Sequence, residues 1–178
     1  MQTPAAALHD LPAHTLLQAY RQRTLSPVEV VQAVLDRIDR WEPHLHATWL
    51  LRPEAALAQA RASEARWLRG APQGLLDGVP CTLKDNIATC GDPTPLGTAA
   101  VDLVPAPADA PPAARLREAG AVLVAKTTMP DYGMLSSGLS SVHHLSRNPW
   151  DLSKTPGGSS AESARRGSND RSRHSGCS

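Results

Sequence analysis

The sequence contains no phenylalanine, and only 3% of its 178 residues are aromatic. Any core must therefore be built mainly from Leu, Val and Ala, within a hydrophobic content of 41%. A strong charge of either sign is also missing, since the formal net charge is +1. This balance gives no electrostatic reason to expect binding to nucleic acid or to an anionic membrane. We predict a soluble globular protein, long enough for one domain with its own core.

Long apolar runs are absent as well. No run approaches the roughly 18–20 apolar residues that span a bilayer, and the N-terminus lacks the basic and apolar regions of a signal peptide. The cysteines are an odd set of three, Cys81, Cys90 and Cys177, with no CxxC pair and no zinc-ligand spacing around them. We therefore expect reduced thiols, no metal and a cytoplasmic location.

Three helices are predicted in the first part of the chain. The clearest starts at Ser26, where Ser26-Pro27-Val28-Glu29 forms a capping box with proline at the first helical position. The apolar residues that follow share one helical face: Val30, Val31, Val34, Leu35 and Ile38. A shorter helix is predicted over Pro12–Gln22, and an Ala-rich one from about Pro53 to Leu68, ending before Gly70. We interpret all three as scaffold.

The pattern changes from Gly74 onwards. A turn at Asp77-Gly78 should lead into a short strand that ends near Lys84, and the Pro- and Gly-rich stretch from Gly91 to Ala108 predicts an irregular loop. The next helix is predicted over Pro111–Ala119, with Asp109 as its cap and Gly120 at its end. The fully apolar run Ala121–Ala125 then predicts a buried strand. A helix that stops at glycine before a buried strand is typical of an α/β domain.

Lys84 stands at the end of a predicted strand, beside Asp85 and Asn86. A lysine in this position can be a solvated surface residue, or it can be a base. A base must be neutral at working pH, so burial would have to lower its pKa from about 10.4 by several units. The apolar run Val79–Leu83 offers such a setting, but the residues alone leave both interpretations open.

A second cluster of interest is Gly157-Gly158-Ser159-Ser160, in a stretch from Lys126 to Ser160 that is rich in Gly, Ser and Pro. Paired glycines can expose backbone N–H groups to an anion, although no GxxxxGK[ST] motif supports a nucleotide site. The segment could equally be a flexible linker, or its hydroxyls could transfer protons or attack a substrate. Long, poorly periodic stretches in compact domains usually serve a function.

Several other residue types could carry chemistry but have simpler explanations. His143-His144 lacks carboxylate or thiol partners at ligand spacing, which favours structural, hydrogen-bonding histidines over a metal site or a general base. Asp92, Asp102 and Asp109 lie in a Pro-rich loop and are interpreted as turn or cap residues. Cys81 and Cys90 have no identifiable activating partner for nucleophilic catalysis.

Considered together, the motifs resemble those of the amidase-signature family. The segment LDGVPCTLKD, from Leu76 to Asp85, is similar to the lysine-bearing motif of that family, and GAVLVAKTTMPDYGM, from Gly120 to Met134, matches a second. The segment SSGLSSVHHLSRNPWDLSKTPGGSSA, from Ser136 to Ala161, resembles its Gly/Ser-rich signature. The resemblance covers roughly Leu11 to Ala161, with the motifs in family order.

The resemblance implies a fold, a mechanism and site residues. The fold class would be α/β, the N-terminal portion of an α/β/α amidase-signature fold with a mixed central sheet that is incomplete in this chain. Lys84 would be the base, and Ser159 the bridging serine after a cis peptide bond at Gly158–Ser159. Gly157, Gly158 and Ser160 would contact substrate. The implied reaction is hydrolysis of a carboxamide through an acyl-enzyme, without a cofactor or metal, on a small-molecule amide, by an enzyme that can form a homodimer.

The sequence also departs from the family. The family's nucleophilic serine belongs to a second motif of the form G-T-D-I-G-G-S, which the chain does not contain, nor does it contain the oxyanion-hole N–H groups of that motif. We therefore expect residues 1–161 to form the N-terminal part of the domain, and 162–178 to be an aberrant, frameshift-like tail that is disordered. We expect the chain alone to be catalytically inert, with unpaired edges or exposed faces at Ala121–Ala125 that favour aggregation. The alternatives are a fragment of the glutaminase subunit of a tRNA-dependent amidotransferase and a non-catalytic truncated product.

Overall fold

The structure of the chain, a computed structural model, describes residues 7–160. Helices α1 to α4 span Ala13–Gln22, Pro27–Leu45, Pro53–Leu68 and Pro111–Glu118, and strands β1 to β3 span Thr48–Leu51, Pro80–Lys84 and Val122–Thr127. Short 3-10 turns occur at Leu8–Asp10 and Asp131–Gly133. Within the described residues, no helix is both long and apolar enough to cross a membrane.

The residues that were predicted to start helices α2 and α3 do so in the structure. The Ser26 hydroxyl accepts a hydrogen bond from the Val28 N–H at 3.0 Å, and the Glu29 carboxylate accepts one from the Ser26 N–H at 2.8 Å. This reciprocal pair is the predicted capping box, and helix α2 starts at the next residue, Pro27. Helix α3 has the predicted bounds and also begins with a proline, Pro53.

The three strands form one mixed sheet in the order β1-β3-β2. The Val122 N–H donates to the Val79 carbonyl, and the Asp85 N–H donates to the Thr127 carbonyl. Residue numbers therefore rise together along the two strands, so β2 and β3 are parallel. On the other side of β3, the Arg52 N–H donates to the Val124 carbonyl and the Thr128 N–H donates to the Ala47 carbonyl. Residue numbers thus fall along β1 as they rise along β3, so the two strands are antiparallel. Strand β3 thus has partners on both sides, as its apolar sequence requires.

Three predictions about these elements were wrong or incomplete. The unpaired strand edges expected at Ala121–Ala125 are not there, since β3 is central and β1 and β2 are the outer strands. Asp109 does not cap helix α4, whose N-cap is Ala110 without a side-chain bond; the Asp109 carboxylate instead pairs with Arg117 at 2.9 Å. Strand β1 was not predicted, because its four residues are too few to show the alternation of apolar and polar side chains that indicates a strand.

The described residues divide into two compact units. The first comprises residues 7–41, Leu51–Leu83 and Asp109–Ala125. Its apolar interior contains two buried clusters: Val31, Leu35, Ala56, Ala60, Val122 and Val124 in one, and Leu16, Tyr20, Val30 and Trp67 in the other. This unit is therefore held together mainly by aliphatic burial, as the lack of phenylalanine requires.

A buried carboxylate adds a polar element to the first unit. The Asp77 side chain is fully buried and accepts bonds from Arg66 Nε at 2.9 Å and from the Gln73 N–H at 2.8 Å. The Asp77 carbonyl also accepts a bond from the Trp67 indole at 3.1 Å. Asp77 thus anchors the turn that precedes strand β2, where the sequence predicted a turn at Asp77-Gly78.

The second unit comprises Glu42–Leu50, Lys84–Ala108 and residues 126–160. Its interior is much more polar than that of the first unit. The buried polar side chains are those of Asp85, Thr89, Asp92, Thr98, Lys126, Thr127, Thr128 and Ser146. Buried polar groups on this scale must be hydrogen-bonded to be tolerated, which gives the irregular loops of this unit fixed positions.

Candidate active site

Lys84 is the last residue of strand β2 and is partly buried. Burial lowers the pKa of its amine from the ordinary value of 10.5, because the charged ammonium loses solvation. A lowered pKa raises the fraction of neutral amine, which is the form that can accept a proton. A lowered pKa is what a role as base requires of Lys84.

The loop that carries Ser159 depends on glycine at two positions. Gly157 has a φ of +92°, which favours glycine over residues with a side chain. At Gly158, a Cβ atom would lie 2.6 Å from the Leu135 carbonyl oxygen and 2.8 Å from that of Ser137. The backbone can pack this closely only without a side chain. The peptide bond Gly158–Ser159 is cis, as the resemblance implied.

The two clusters found in the sequence meet at the Lys84 amine. Lys84 Nζ donates to Ser159 Oγ and to Ser160 Oγ, each at 3.1 Å, across more than 70 residues of sequence. Both hydroxyls are therefore within reach for direct proton exchange with the amine. Ser159 is partly buried and Ser160 is exposed. Gly157 and Gly158 shape the backbone of this loop and have no side chain to contribute.

Asp85, which follows Lys84, was not predicted as a functional residue. Its side chain is fully buried, and Oδ2 accepts a bond from the Gly97 N–H at 2.6 Å and lies 3.1 Å from His143 Nε2. The Gly97 carbonyl in turn accepts a bond from Ser140 Oγ at 2.5 Å. Asp85 thus fixes two loops to the residue beside Lys84. The sequence signal was its position directly after the lysine, at the end of a strand.

His143 and His144 have structural partners, as predicted. The His143 ring packs on Trp49 with a centroid distance of 5.5 Å, and the His144 ring lies 5.1 Å from that of His46. Within residues 7–160, no group of three or more His, Cys, Asp or Glu side chains is arranged to hold a metal ion.

A second buried lysine, Lys126, lies at the end of β3. Its Nζ donates to the Pro93 carbonyl at 3.3 Å and lies 5.9 Å from the Trp49 ring centroid. Burial lowers the pKa of Lys126, while the charges of Asp85 and Asp92 act against that shift. In the sequence, Lys126 stood out only as the start of the Gly-, Ser- and Pro-rich stretch, because its contacts come from distant loops.

The remaining candidates behave as ordinary structural residues. Asp92 is buried and accepts a bond from the Thr89 hydroxyl at 2.8 Å, which fits the predicted turn role. The Asp102 carbonyl accepts a bond from the Val104 N–H, also within a turn. Cys81 and Cys90 form no disulfide within residues 7–160, and Cys177 lies outside the described residues, as does the predicted tail at 162–178.

A lysine at a strand end, hydrogen-bonded to serines of a Gly/Ser-rich loop in an α/β domain, is an arrangement of the kind that Ser–Lys hydrolases use. A sequence profile described as Amidase matches residues 29–165, which is most of the chain. The chain therefore belongs to the amidase-signature family.

Individual relatives agree with this assignment. The chain is 39% identical over 149 residues to the A subunit of glutamyl-tRNA(Gln) amidotransferase from Nostoc punctiforme, covering 84% of the chain and 31% of that protein. Among solved structures, it is similar to an amidase (TM-score 0.80, 33% identity, 88% of this chain and 36% of that one). It is also similar to the native peptide amidase from Stenotrophomonas maltophilia (TM-score 0.76, 31% identity, 90% and 33%). The chain spans about a third of the length of the relatives it matches.

Proposed function

We propose that this chain carries the base and the bridging serine of an amide-hydrolysing site, with Lys84 and Ser159 in those roles. The observation that supports the proposal is the 3.1 Å contact between Lys84 Nζ and Ser159 Oγ, in a member of the amidase-signature family. The substrate would be a small-molecule carboxamide, and the products a carboxylate and ammonia or an amine.

The proposed mechanism is a proton relay. Neutral Lys84 accepts the proton of the Ser159 hydroxyl, and Ser159 accepts one from a nucleophilic serine, which attacks the amide carbonyl. The same relay in reverse protonates the leaving amine, and water then hydrolyses the acyl-enzyme. Asp85 supports this arrangement by holding the neighbouring loops through Gly97 and His143.

The 178 residues contain no G-T-D-I-G-G-S motif, so the relay has no nucleophilic serine of that kind to act on. The chain alone is therefore expected to release no ammonia or amine from carboxamides, because an oxyanion hole and an acylated serine are both needed. The tail at 162–178 is best explained as a frame change after the Gly/Ser-rich motif, since its composition shifts sharply to Arg and Ser.

The experiment that tests this proposal is sequencing of the gene through and beyond the codons for Ser159 to Ser178, read in all three frames. A frame that continues Gly-Gly-Ser-Ser-Ala into an Ala/Gly-rich helix and a second Gly-Gly-Ser motif supports it. In the chain expressed from that frame, Lys84→Ala and Ser159→Ala should each lower kcat by about a hundredfold or more, while Lys154→Ala should not. Full activity in Lys84→Ala, or no frame with the motif, would count against the proposal.

A second candidate function comes from the relatives. Curated relatives at 39% and 43% identity are both named as the A subunit of glutamyl-tRNA(Gln) amidotransferase. This chain would then derive from a protein that uses glutamine as its amide and works within a larger assembly. Glutaminase activity in the restored chain that requires partner subunits favours this function, whereas hydrolysis of aryl or peptide amides by the chain alone favours a general amidase. A stable 178-residue product that binds an intact homologue would instead favour a non-catalytic role.

A further inference from the structure

The Lys84 amine has two serine partners, but the proton relay uses only one of them. Ser160 Oγ lies 3.1 Å from Lys84 Nζ, the same distance as Ser159 Oγ. The two side chains differ in exposure, since Ser159 is partly buried and Ser160 is exposed. The more accessible hydroxyl is thus the one without a proposed role in proton transfer.

Direct contact between an amine and a serine hydroxyl is sufficient for nucleophile activation in principle. Ser–Lys pairs are among the known variants of serine catalysis, in which the amine takes the proton of the attacking hydroxyl without a histidine. Such a pair needs a lysine with a depressed pKa and a hydroxyl that a reagent can reach. Burial moves the pKa of Lys84 in this direction.

From this geometry we infer that Lys84 and Ser160 form a second Ser–Lys pair, in which Ser160 is a nucleophile toward activated esters and phosphonyl fluorides. The inference shares Lys84 with the proposed function but does not use Ser159 or the missing serine motif. It concerns stoichiometric covalent modification of the 178-residue chain and does not predict amide hydrolysis.

The reaction balances without a cofactor or a redox partner. With a phosphonyl fluoride, the Ser160 Oγ–P bond forms, the P–F bond breaks, and fluoride leaves with its electron pair. The serine proton passes to the neutral Lys84 amine, which later releases it to solvent. The product is a stable phosphonyl-serine at residue 160.

Three other described serines, Ser140, Ser146 and Ser153, lack this combination. Ser153 is also exposed, but its hydroxyl donates to the Asp151 carboxylate at 2.6 Å, and no amine contacts it in the part of the chain that the structure describes. Ser140 donates to the Gly97 carbonyl, and Ser146 is buried. Ser153 is therefore a matched control for an exposed hydroxyl without a base.

The test is labelling of the full 178-residue chain with a biotin-linked fluorophosphonate, followed by mass-spectrometric mapping of the modified peptide. We expect one label per chain at Ser160. Ser160→Ala should abolish it, and Lys84→Met should slow it by about a hundredfold. Ser153→Ala and Lys154→Met should label at the wild-type rate, and circular dichroism should show that every variant keeps the wild-type fold.

Two results would overturn the inference. One is a label that maps to Ser159 or to any other residue in the wild-type chain. The other is unchanged labelling in folded Lys84→Met, which would mean that the lysine does not activate the hydroxyl. The proposed function is tested separately, by gene sequencing and by kcat in the restored chain, so a label that is absent from Ser160 counts against the inference and leaves the proposed function standing.

Discussion

At the scale of single residues, the decisive property of Lys84 is its lowered pKa, because a base must lose its proton near neutral pH. Desolvation is the cause, so the shift belongs to the folded chain and should disappear on unfolding. Between the folded and unfolded pKa values, the unfolded chain binds more protons than the folded one. The Lys84 contribution to the free energy of unfolding therefore increases with pH across that window.

We predict that NMR titration of the Lys84 side-chain amine will give a lower pKa in the folded chain than in denaturant, because only the folded chain desolvates the amine. Equal pKa values of Lys84 in the folded chain and in denaturant would remove the basis for a neutral Lys84.

The second residue-scale prediction concerns Asp77 in the first unit. Burial raises the pKa of its carboxyl, but the hydrogen bonds from the Arg66 side chain and the Gln73 N–H outweigh burial, so the pKa is lowered overall. Its stabilising contribution is present above the unfolded pKa and is lost as pH falls through the folded pKa. We expect Asp77→Asn to cost about 3 kcal/mol near neutral pH, because Arg66 loses its partner.

Denaturant titrations from neutral to acidic pH would check this. The difference between wild type and Asp77→Asn should shrink as the pH falls, since the wild-type carboxylate becomes protonated. Asp151→Asn is the control, because that carboxylate is partly exposed and its ion pair with the exposed Lys154 is screened by solvent, so the substitution should change the midpoint much less. A constant difference at all pH values would contradict the assignment.

At the scale of elements, the sequence predicted those parts of the fold that depend on local signals. The capping box at Ser26 and the apolar run at Ala121–Ala125 each carry their own signature, and both elements formed near the predicted positions. Strand β1 and the Asp109–Arg117 pair depend on partners that are distant in the sequence, so no local pattern showed them. The contact between Lys84 and Ser159 is equally non-local, and only the family resemblance anticipated it.

The loops of the second unit offer a prediction at this scale. Gly97 and Gly91 both have positive φ, but a Cβ at Gly97 would lie 2.5 Å from the carbonyl oxygens of Met129 and Pro130, whereas Gly91 has nothing within 4 Å. Gly91→Ala should cost about 1 kcal/mol from backbone conformation alone. Gly97→Ala should cost clearly more, because backbone must move. Thermal or denaturant unfolding of the two variants would show the difference, and equal costs would refute it.

At the scale of the whole molecule, apolar side chains are exposed along one segment of the second unit. The exposed apolar residues between positions 132 and 142 are Tyr132, Met134, Leu135, Leu139 and Val142, with Met134 82% exposed. Such a dense set is unusual for a chain that stays monomeric at high concentration. The aggregation predicted from the sequence remains a prediction, with its origin in this segment and not in strand β3.

We expect the chain to self-associate with increasing concentration, measured by light scattering, and the double variant Met134→Gln/Leu139→Gln to reduce that tendency. Leu75→Gln removes an exposed leucine of the first unit that has no exposed apolar residue directly beside it in the sequence, and it should have little effect. If Leu75→Gln and the double variant behaved alike, the segment from 132 to 142 would not be the cause.

The central position of strand β3 also affects how the chain is made. Both outer strands precede β3 in the sequence, and they do not bond each other in the sheet. During synthesis on the ribosome, β1 and β2 therefore emerge without a strand partner and must wait until Val122–Thr127 has left the exit tunnel. The sheet can therefore form only after β3 has emerged, and the edges of β1 and β2 stay unpaired throughout that interval.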